Sequence, residues 1–195
     1  FVADSIYELS AVDRIAGEKG IKQKMILRLT PGIDPHTYAA VATGKVDSKF
    51  GVAIETGDAK ALVEKTLAKK NVELMGYHCH IGSQIFETDG FALAASKVMA
   101  KMGSWKEKHG FEASVLNLGG GFGIRYTDED KPLAPSVYVE EMIKSVRAEA
   151  QKVELSMPEI WIEPGRSMVG DAGTSLYTIG STKTVPGVRE YIAVD

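Results

Sequence analysis

The stretch SVLNLGGGFG, Ser114 to Gly123, decides how the chain is read. A short apolar run passes into three consecutive glycines, so a strand ends in a turn whose backbone can take conformations that other residues resist. Three further stretches share this outline: MILRLTPG (Met25–Gly32), ELMGYHCHIGS (Glu73–Ser83) and EIWIEPGR (Glu159–Arg166). The segments between them carry apolar residues at intervals of three and four, the helical period. Asp58 is placed to cap a helix with Ala59, Leu62, Val63 and Leu67 on one face. Asp89 is placed to cap a second, with Phe91, Ala94, Ala95, Val98, Met102 and Trp105 facing inward. Ser136 is placed to cap a third, with Val139, Met142, Ile143, Val146, Ala150 and Val153 along one side. The opening FVADSIYELSAVDRIAG reads as the tail of another strand and a helix. About five strand–helix units predict an α/β fold with a parallel sheet.

The pattern changes after Gly173. SLYTIGSTKTV and REYIAVD are β-type runs with no helix between them. We therefore expect a β/α unit over residues 1–172 and the start of an all-β region over 173–195.

Composition narrows the function. The chain has 195 residues, 44% hydrophobic and 25% charged, with a net charge of −3. Lysines and glutamates are interspersed, so no basic footprint for nucleic acid is present. No apolar run reaches the ~18 residues of a membrane-spanning helix. The single cysteine, Cys79, excludes an internal disulfide framework and fits a reducing, cytoplasmic compartment.

Polar residues gather at the C-terminal ends of the strands: His80, Ser83, Gly119–Gly123, Glu163 and Arg166. That end carries the active site in a β/α barrel and the ligand crevice in an open doubly wound sheet. NLGGGFG (Asn117–Gly123) is either an anion-binding loop or a tight turn, and it lacks the GxGxxG spacing of a dinucleotide site. In IEPGR, Pro164–Gly165 forces a turn that aims the Glu163 carboxylate, and Arg166 can bind a phosphate or carboxylate; a surface ion pair is the plainer alternative. In YHCHIGSQ (Tyr77–Gln84), His78 and His80 face one way and Cys79 the other. A zinc pair there needs more ligands. Only His36 and His109 remain, neither at a strand end with a supporting acid, so no metal is expected. A packed strand suits His78, and a buried small hydrophobe suits Cys79.

In this order the motifs resemble the fold-type III pyridoxal-phosphate (PLP) decarboxylases, and among them the diaminopimelate decarboxylases. The resemblance spans essentially the whole chain. HIGSQI (His80–Ile85), GGGFGIRY (Gly119–Tyr126), EPGR (Glu163–Arg166), SKFG (Ser48–Gly51) and RLTPGIDPHTY (Arg28–Tyr38) carry it. It implies a partial (β/α)8 TIM-type barrel, about strands four to eight, followed by the start of an all-β domain. It implies PLP with His80 against the ring face and Glu163 at the pyridine nitrogen. Ser83 and the amides of Gly119, Gly120 and Gly121 would hold the phosphate, Gly121 foremost. Pro164 and Gly165 belong to the same cofactor turn. Arg166 would lie near the phosphate and bind a substrate carboxylate, and His78 receives no role.

The implied reaction takes meso-2,6-diaminopimelate to L-lysine and CO2. A related decarboxylase acting on ornithine, arginine or carboxynorspermidine is one alternative, and a non-catalytic PLP carrier or pseudoenzyme is another. The family's cofactor lysine has no match here: Lys45 and Lys49 sit in a loop and Lys183 in a β-type run. That lysine, and the cysteine which the family supplies across its dimer interface, are expected outside these residues. The chain is thus expected to be an internal fragment of a homodimeric enzyme, inactive alone and prone to aggregate through its open sheet edge.

Overall fold

A computed structural model describes residues 1–33 and 49–195. Its main body alternates strand and helix: β1 (Val2–Ala3), α1 (Ile6–Glu18), β2 (Gln23–Thr30), β3 (Val52–Ala53), α2 (Asp58–Leu67), β4 (Val72–His78), α3 (Asp89–His109), β5 (Val115–Asn117), α4 (Pro135–Lys152), β6 (Glu159–Trp161) and α5 (Gly165–Val169). A single 3-10 turn over Gly170–Ala172 follows. The hairpin of β7 (Ile179–Val185) and β8 (Arg189–Val194) ends the chain. The body is a parallel sheet in the order β1-β2-β4-β5-β6, while β7 and β8 form a separate antiparallel pair. The expected α/β architecture and the switch to β structure after Gly173 are both present. Among the described residues, no helix is long and apolar enough to cross a membrane.

The two-residue β3 escaped the sequence reading because so short a run carries no periodic signal. It pairs with Leu29 and Thr30 of β2, just beyond the point where β1 pairs with Ile26 and Leu27. The Asp4 carboxylate accepts a hydrogen bond from the Gly51 N–H, so β3 prolongs the edge that β1 begins.

The core lies between one sheet face and the helices. Met25, Leu27 and Leu29 of β2, Leu74 and Tyr77 of β4 and Leu116 of β5 supply the sheet side. Leu62 and Val63 of α2, all six expected positions of α3, and Tyr138, Met142, Val146 and Ala150 of α4 supply the other. Helix starts differ slightly from expectation. Gly57 and Thr88 occupy the caps, and Asp58 and Asp89 lie in the first turn, where a carboxylate favours the helix dipole. Ser136 is not a cap: α4 begins at Pro135, whose fixed φ suits the first helical position, with Ala134 as cap. Leu67, the last residue of α2, stays exposed.

A bulge in β4 sets what the other sheet face presents. Met25 of β2 pairs with Leu74, but Ile26 pairs with Gly76, so Met75 is an extra residue. Val72 and Leu74 belong to the core before the bulge, and Tyr77, Cys79 and Ile81 belong to it afterwards. The alternation has therefore flipped, and His78 and His80 point away from the helices. Without the bulge, the period set by Val72 and Leu74 would turn both imidazoles into the core. The face they join is open. Met75, Val115, Asn117, Trp161 and Glu163 help to line a cavity of about 490 Å³ there.

Candidate active site

Three strand ends are stitched together beyond the regular sheet. The Cys79 N–H donates to the Asn117 carbonyl at 2.9 Å, the Leu118 N–H to Trp161 at 3.0 Å, and the Glu163 N–H to Gly119 at 2.7 Å. Ile85 and Phe122 then form one more parallel bridge, with Ile85 N–H to Gly121 O at 2.9 Å and Gly123 N–H to Ile85 O at 2.8 Å. From α4, the Tyr138 hydroxyl donates to the Ile85 carbonyl at 2.8 Å, and its ring stacks on Phe122 with centroids 4.8 Å apart. The loop after β4 and the glycine loop after β5 are thus fixed to each other and to the core.

Close approach explains the glycines. A Cβ on Gly120 would lie 2.0 Å from the Glu163 carbonyl oxygen, and one on Gly121 would lie 2.1 Å from that of Gly82. Their amides are not equivalent. The Gly119 N–H donates to Asn117 Oδ1 at 2.8 Å, and the Gly120 N–H points at His80 Nδ1 at 3.4 Å. Among the described residues, only the Gly121 N–H of the three lacks a protein acceptor. That leaves Gly121 as the one of the three whose N–H is open to a ligand.

Glu163 stands on the open face. Its Oε1 accepts from Asn117 Nδ2 at 2.9 Å, and its Oε2 lies 3.3 Å from His78 Nε2. His78 is buried, with 3% side-chain exposure, whereas Glu163 keeps 51%. The carboxylate is thus held from behind and open in front. Burial holds His78 below the ordinary imidazole value, with Glu163 opposing the shift. Burial also lowers His80, with Arg28 and His78 adding to the effect. Both shifts favour the uncharged ring. Burial pushes the Cys79 thiol up to about 12, which suits a packed, unreactive side chain.

Ser83 is exposed at the mouth of the same loop, and its hydroxyl makes no hydrogen bond among the described residues. The Gly165 N–H closes on the Glu163 carbonyl at 2.9 Å, and the Ser167 hydroxyl caps the Pro164 carbonyl at 3.1 Å, which fixes the turn that presents Glu163. Arg166 follows at the rim. Its Nη1 donates to Gln84 Oε1 at 3.3 Å, and its guanidinium lies 5.7 Å from the centre of the Tyr126 ring. Every sequence-expected site residue except those in 34–48 is therefore placed. His36, Lys45 and most of the TPG…HTY segment lie outside the described residues, as does Ser48 of SKFG. Lys49 sits beside the Phe50 ring, and Lys183 lies in β7.

Sequence reasoning missed three residues. The sequence gives His78 only a packing role and Asn117 only a place at the head of the glycine loop; both are buried polar side chains, and such groups need partners. Gln84 is the third. It holds φ +58, a left-handed backbone that is uncommon for a non-glycine residue. Its amide clamps Ile124 from both sides, Nε2 to the carbonyl at 2.7 Å and Oε1 from the N–H at 3.2 Å. Replacing Gln84 by glycine keeps the backbone free to hold that φ but removes the clamp. Hydrogen exchange at the Ile124 amide is expected to accelerate roughly tenfold, the worth of one net hydrogen bond. Unchanged exchange would show that the clamp does not hold the loop.

The family described as pyridoxal-dependent decarboxylase, pyridoxal binding domain, matches residues 1–170. Proteins named diaminopimelate decarboxylase from Bacillus methanolicus and Bacillus subtilis are 53% and 50% identical to this chain over 194 residues. Those alignments cover 100% of this chain and 45% and 44% of the relatives. A crystal structure of diaminopimelate decarboxylase from M. jannaschii in co-complex with L-lysine superposes with a TM-score of 0.80 at 32% identity, covering 100% of this chain and 44% of that one. The chain thus spans a little under half the length of the relatives it matches.

Proposed function

Because the chain belongs to the pyridoxal-dependent decarboxylase family through its pyridoxal-binding domain, we propose that the complete protein decarboxylates meso-2,6-diaminopimelate to L-lysine and CO2. Identity of 50–53% to proteins named for that activity supports the substrate. The observation that carries the chemistry is Glu163: a half-open carboxylate backed by two neutral donors, beside a bare backbone N–H and an imidazole. A flat ring with a basic nitrogen and an anionic arm fits this donor set.

When bound, PLP supplies an electron sink for the carbon that loses CO2. The protein's part is to hold and orient. Glu163 would face the ring nitrogen and keep a proton there by its charge. His80 would support the ring face. The Gly121 N–H and the Ser83 hydroxyl would take the phosphate, for which both are chemically suited donors. Arg166, held by Gln84 at the rim, would bind a carboxylate of the substrate. The turn at Pro164–Gly165 keeps Glu163 from swinging away. Residues 1–172 would form part of a β/α barrel, about strands four to eight, and residues 173–195 the first strands of a β domain. Parallel pairing in the first part and the separate hairpin in the second support this division. We assign the complete protein to the cytoplasm as a homodimer, as the family resemblance implies.

The test is CO2 release by the purified complete protein with PLP and meso-2,6-diaminopimelate, L-ornithine or L-arginine. Diaminopimelate is expected to exceed the others in kcat/KM by roughly a hundredfold or more, the margin that polar substrate recognition provides. Equal or better turnover of ornithine or arginine would overturn the substrate, and absence of turnover with all three would overturn the activity.

A further inference from the structure

We propose that His78 and Asn117 form a neutral cradle that positions the Glu163 carboxylate while leaving its charge uncompensated for the ring nitrogen of PLP. The inference rests on the reading of Glu163 given above and assigns positioning roles to two residues in addition to it.

The geometry dictates which atoms carry hydrogens. Glu163 Oε2 can only accept, so His78 Nε2, 3.3 Å away, must carry the ring proton. His78 Nδ1 is buried and has no partner among the described residues. A bare nitrogen there costs less than a buried N–H or a second proton. The tautomer is therefore fixed from both sides. The Asn117 amide is fixed likewise. Its Oδ1 accepts from the Gly119 N–H at 2.8 Å while its Nδ2 donates to Glu163 at 2.9 Å. A flipped amide would set N–H against N–H and oxygen against carboxylate. Asn117 thereby ties the position of Glu163 to the glycine loop.

Neutrality is the point of the arrangement. A lysine or arginine behind Glu163 would form an ion pair, and the carboxylate would then attract a protonated ring nitrogen less strongly. The groups facing His78 come from every neighbouring strand. Asp4 beyond β1 and Glu163 beyond β6 favour its protonation, Arg28 of β2 opposes it, and His80 lies just past the end of β4. Burial outweighs the two acids, so the balance favours an uncharged His78. The donors supply hydrogen bonds and direction without a counter-charge.

Two measurements on the complete protein test this. The first needs no cofactor: 15N NMR of the histidines in the apoprotein is expected to show His78 neutral, with the proton on Nε2, at neutral pH. A cationic His78, or a proton on Nδ1, overturns the cradle. The second is the Kd for PLP of the apoprotein variants. His78→Leu and Asn117→Ala are each expected to bind PLP roughly tenfold or more weakly, as expected for loss of a hydrogen bond to a charged group. His78→Gln, which keeps a neutral donor, is expected to recover most of the loss. Denaturant midpoints identify any variant that is merely unfolded. In the Glu163→Gln background, His78→Leu is expected to add almost nothing, because the group it positions is gone. If Glu163→Gln weakens binding but the His78 and Asn117 variants do not, the cradle fails and Glu163 keeps its role. If Glu163→Gln binds PLP like the unaltered protein, the reading of Glu163 itself fails.

Discussion

Glu163→Gln is expected to lower kcat for diaminopimelate decarboxylation roughly a hundredfold in the complete protein, within the range seen when one preorganised charged or polar group is removed from an active site. The change alters a single charge and almost no volume. A glutamine oxygen can still accept from Asn117, whose Nδ2 lies 2.9 Å from the Glu163 carboxylate. The new NH2 would face the Nε2–H of His78, donor against donor, but the half-exposed side chain can turn that end towards solvent. Stability should therefore change by less than about 1 kcal/mol, as for a half-exposed substitution outside the core. With PLP bound as proposed, the ring nitrogen would lose the negative charge that favours its protonated form, and the electron sink would become shallower. Steady-state kinetics at saturating PLP measure the loss, and the absorbance of the bound cofactor should shift with it. A kcat within about threefold of the unaltered protein would mean that the carboxylate does not face the ring nitrogen.

Some of this was legible in the chain and some was not. The α3 face from Phe91 to Trp105 could be read because a single period runs through six of its seven buried residues. The strand–helix alternation followed from the same signal. Glu163, His80, Arg166 and the glycines stood out as chemistry-bearing residues at strand ends. What could not be read depends on pairing between distant segments. Nothing local to YHCHIGSQ shows that His78 lies within reach of a carboxylate 85 positions later. Asn117 looks like a strand residue until β5 is laid beside β6. Gln84 reveals its role only when its own loop meets Ile124. The caps at Gly57, Thr88 and Ala134 were missed for the opposite reason. They are local choices among adjacent residues: Asp58 and Asp89 in a first turn look much like caps, as does Ser136 just inside α4.

Gly76→Ala tests the step at which the fold sets the site, and it is expected to cost about 3 kcal/mol or more of stability. A Cβ there would lie 1.8 Å from the carbonyl oxygen of Val115, 2.7 Å from its carbonyl carbon and 3.1 Å from its Cα. All three are backbone atoms of β5, so no rotamer change relieves the contact. The sheet must part, which places the cost at or above the top of the usual 1–3 kcal/mol for overpacking. Gly57→Ala is the control. Gly57 holds φ +87 but has nothing within 4 Å of its would-be Cβ, so only backbone strain of about 1 kcal/mol is expected. Denaturant unfolding of the two variants should separate steric conflict from conformational preference. The Gly76 variant has a second consequence. The protein can escape the clash by giving up the bulge at Met75, but the alternation set by Val72 and Leu74 then carries His78 and His80 to the helix side. PLP affinity should therefore fall even in the fraction that remains folded, whereas Gly57→Ala should leave it unchanged. A Gly76→Ala protein as stable as the unaltered one, with the same Kd for PLP, would show that the bulge does not set which way the two imidazoles face.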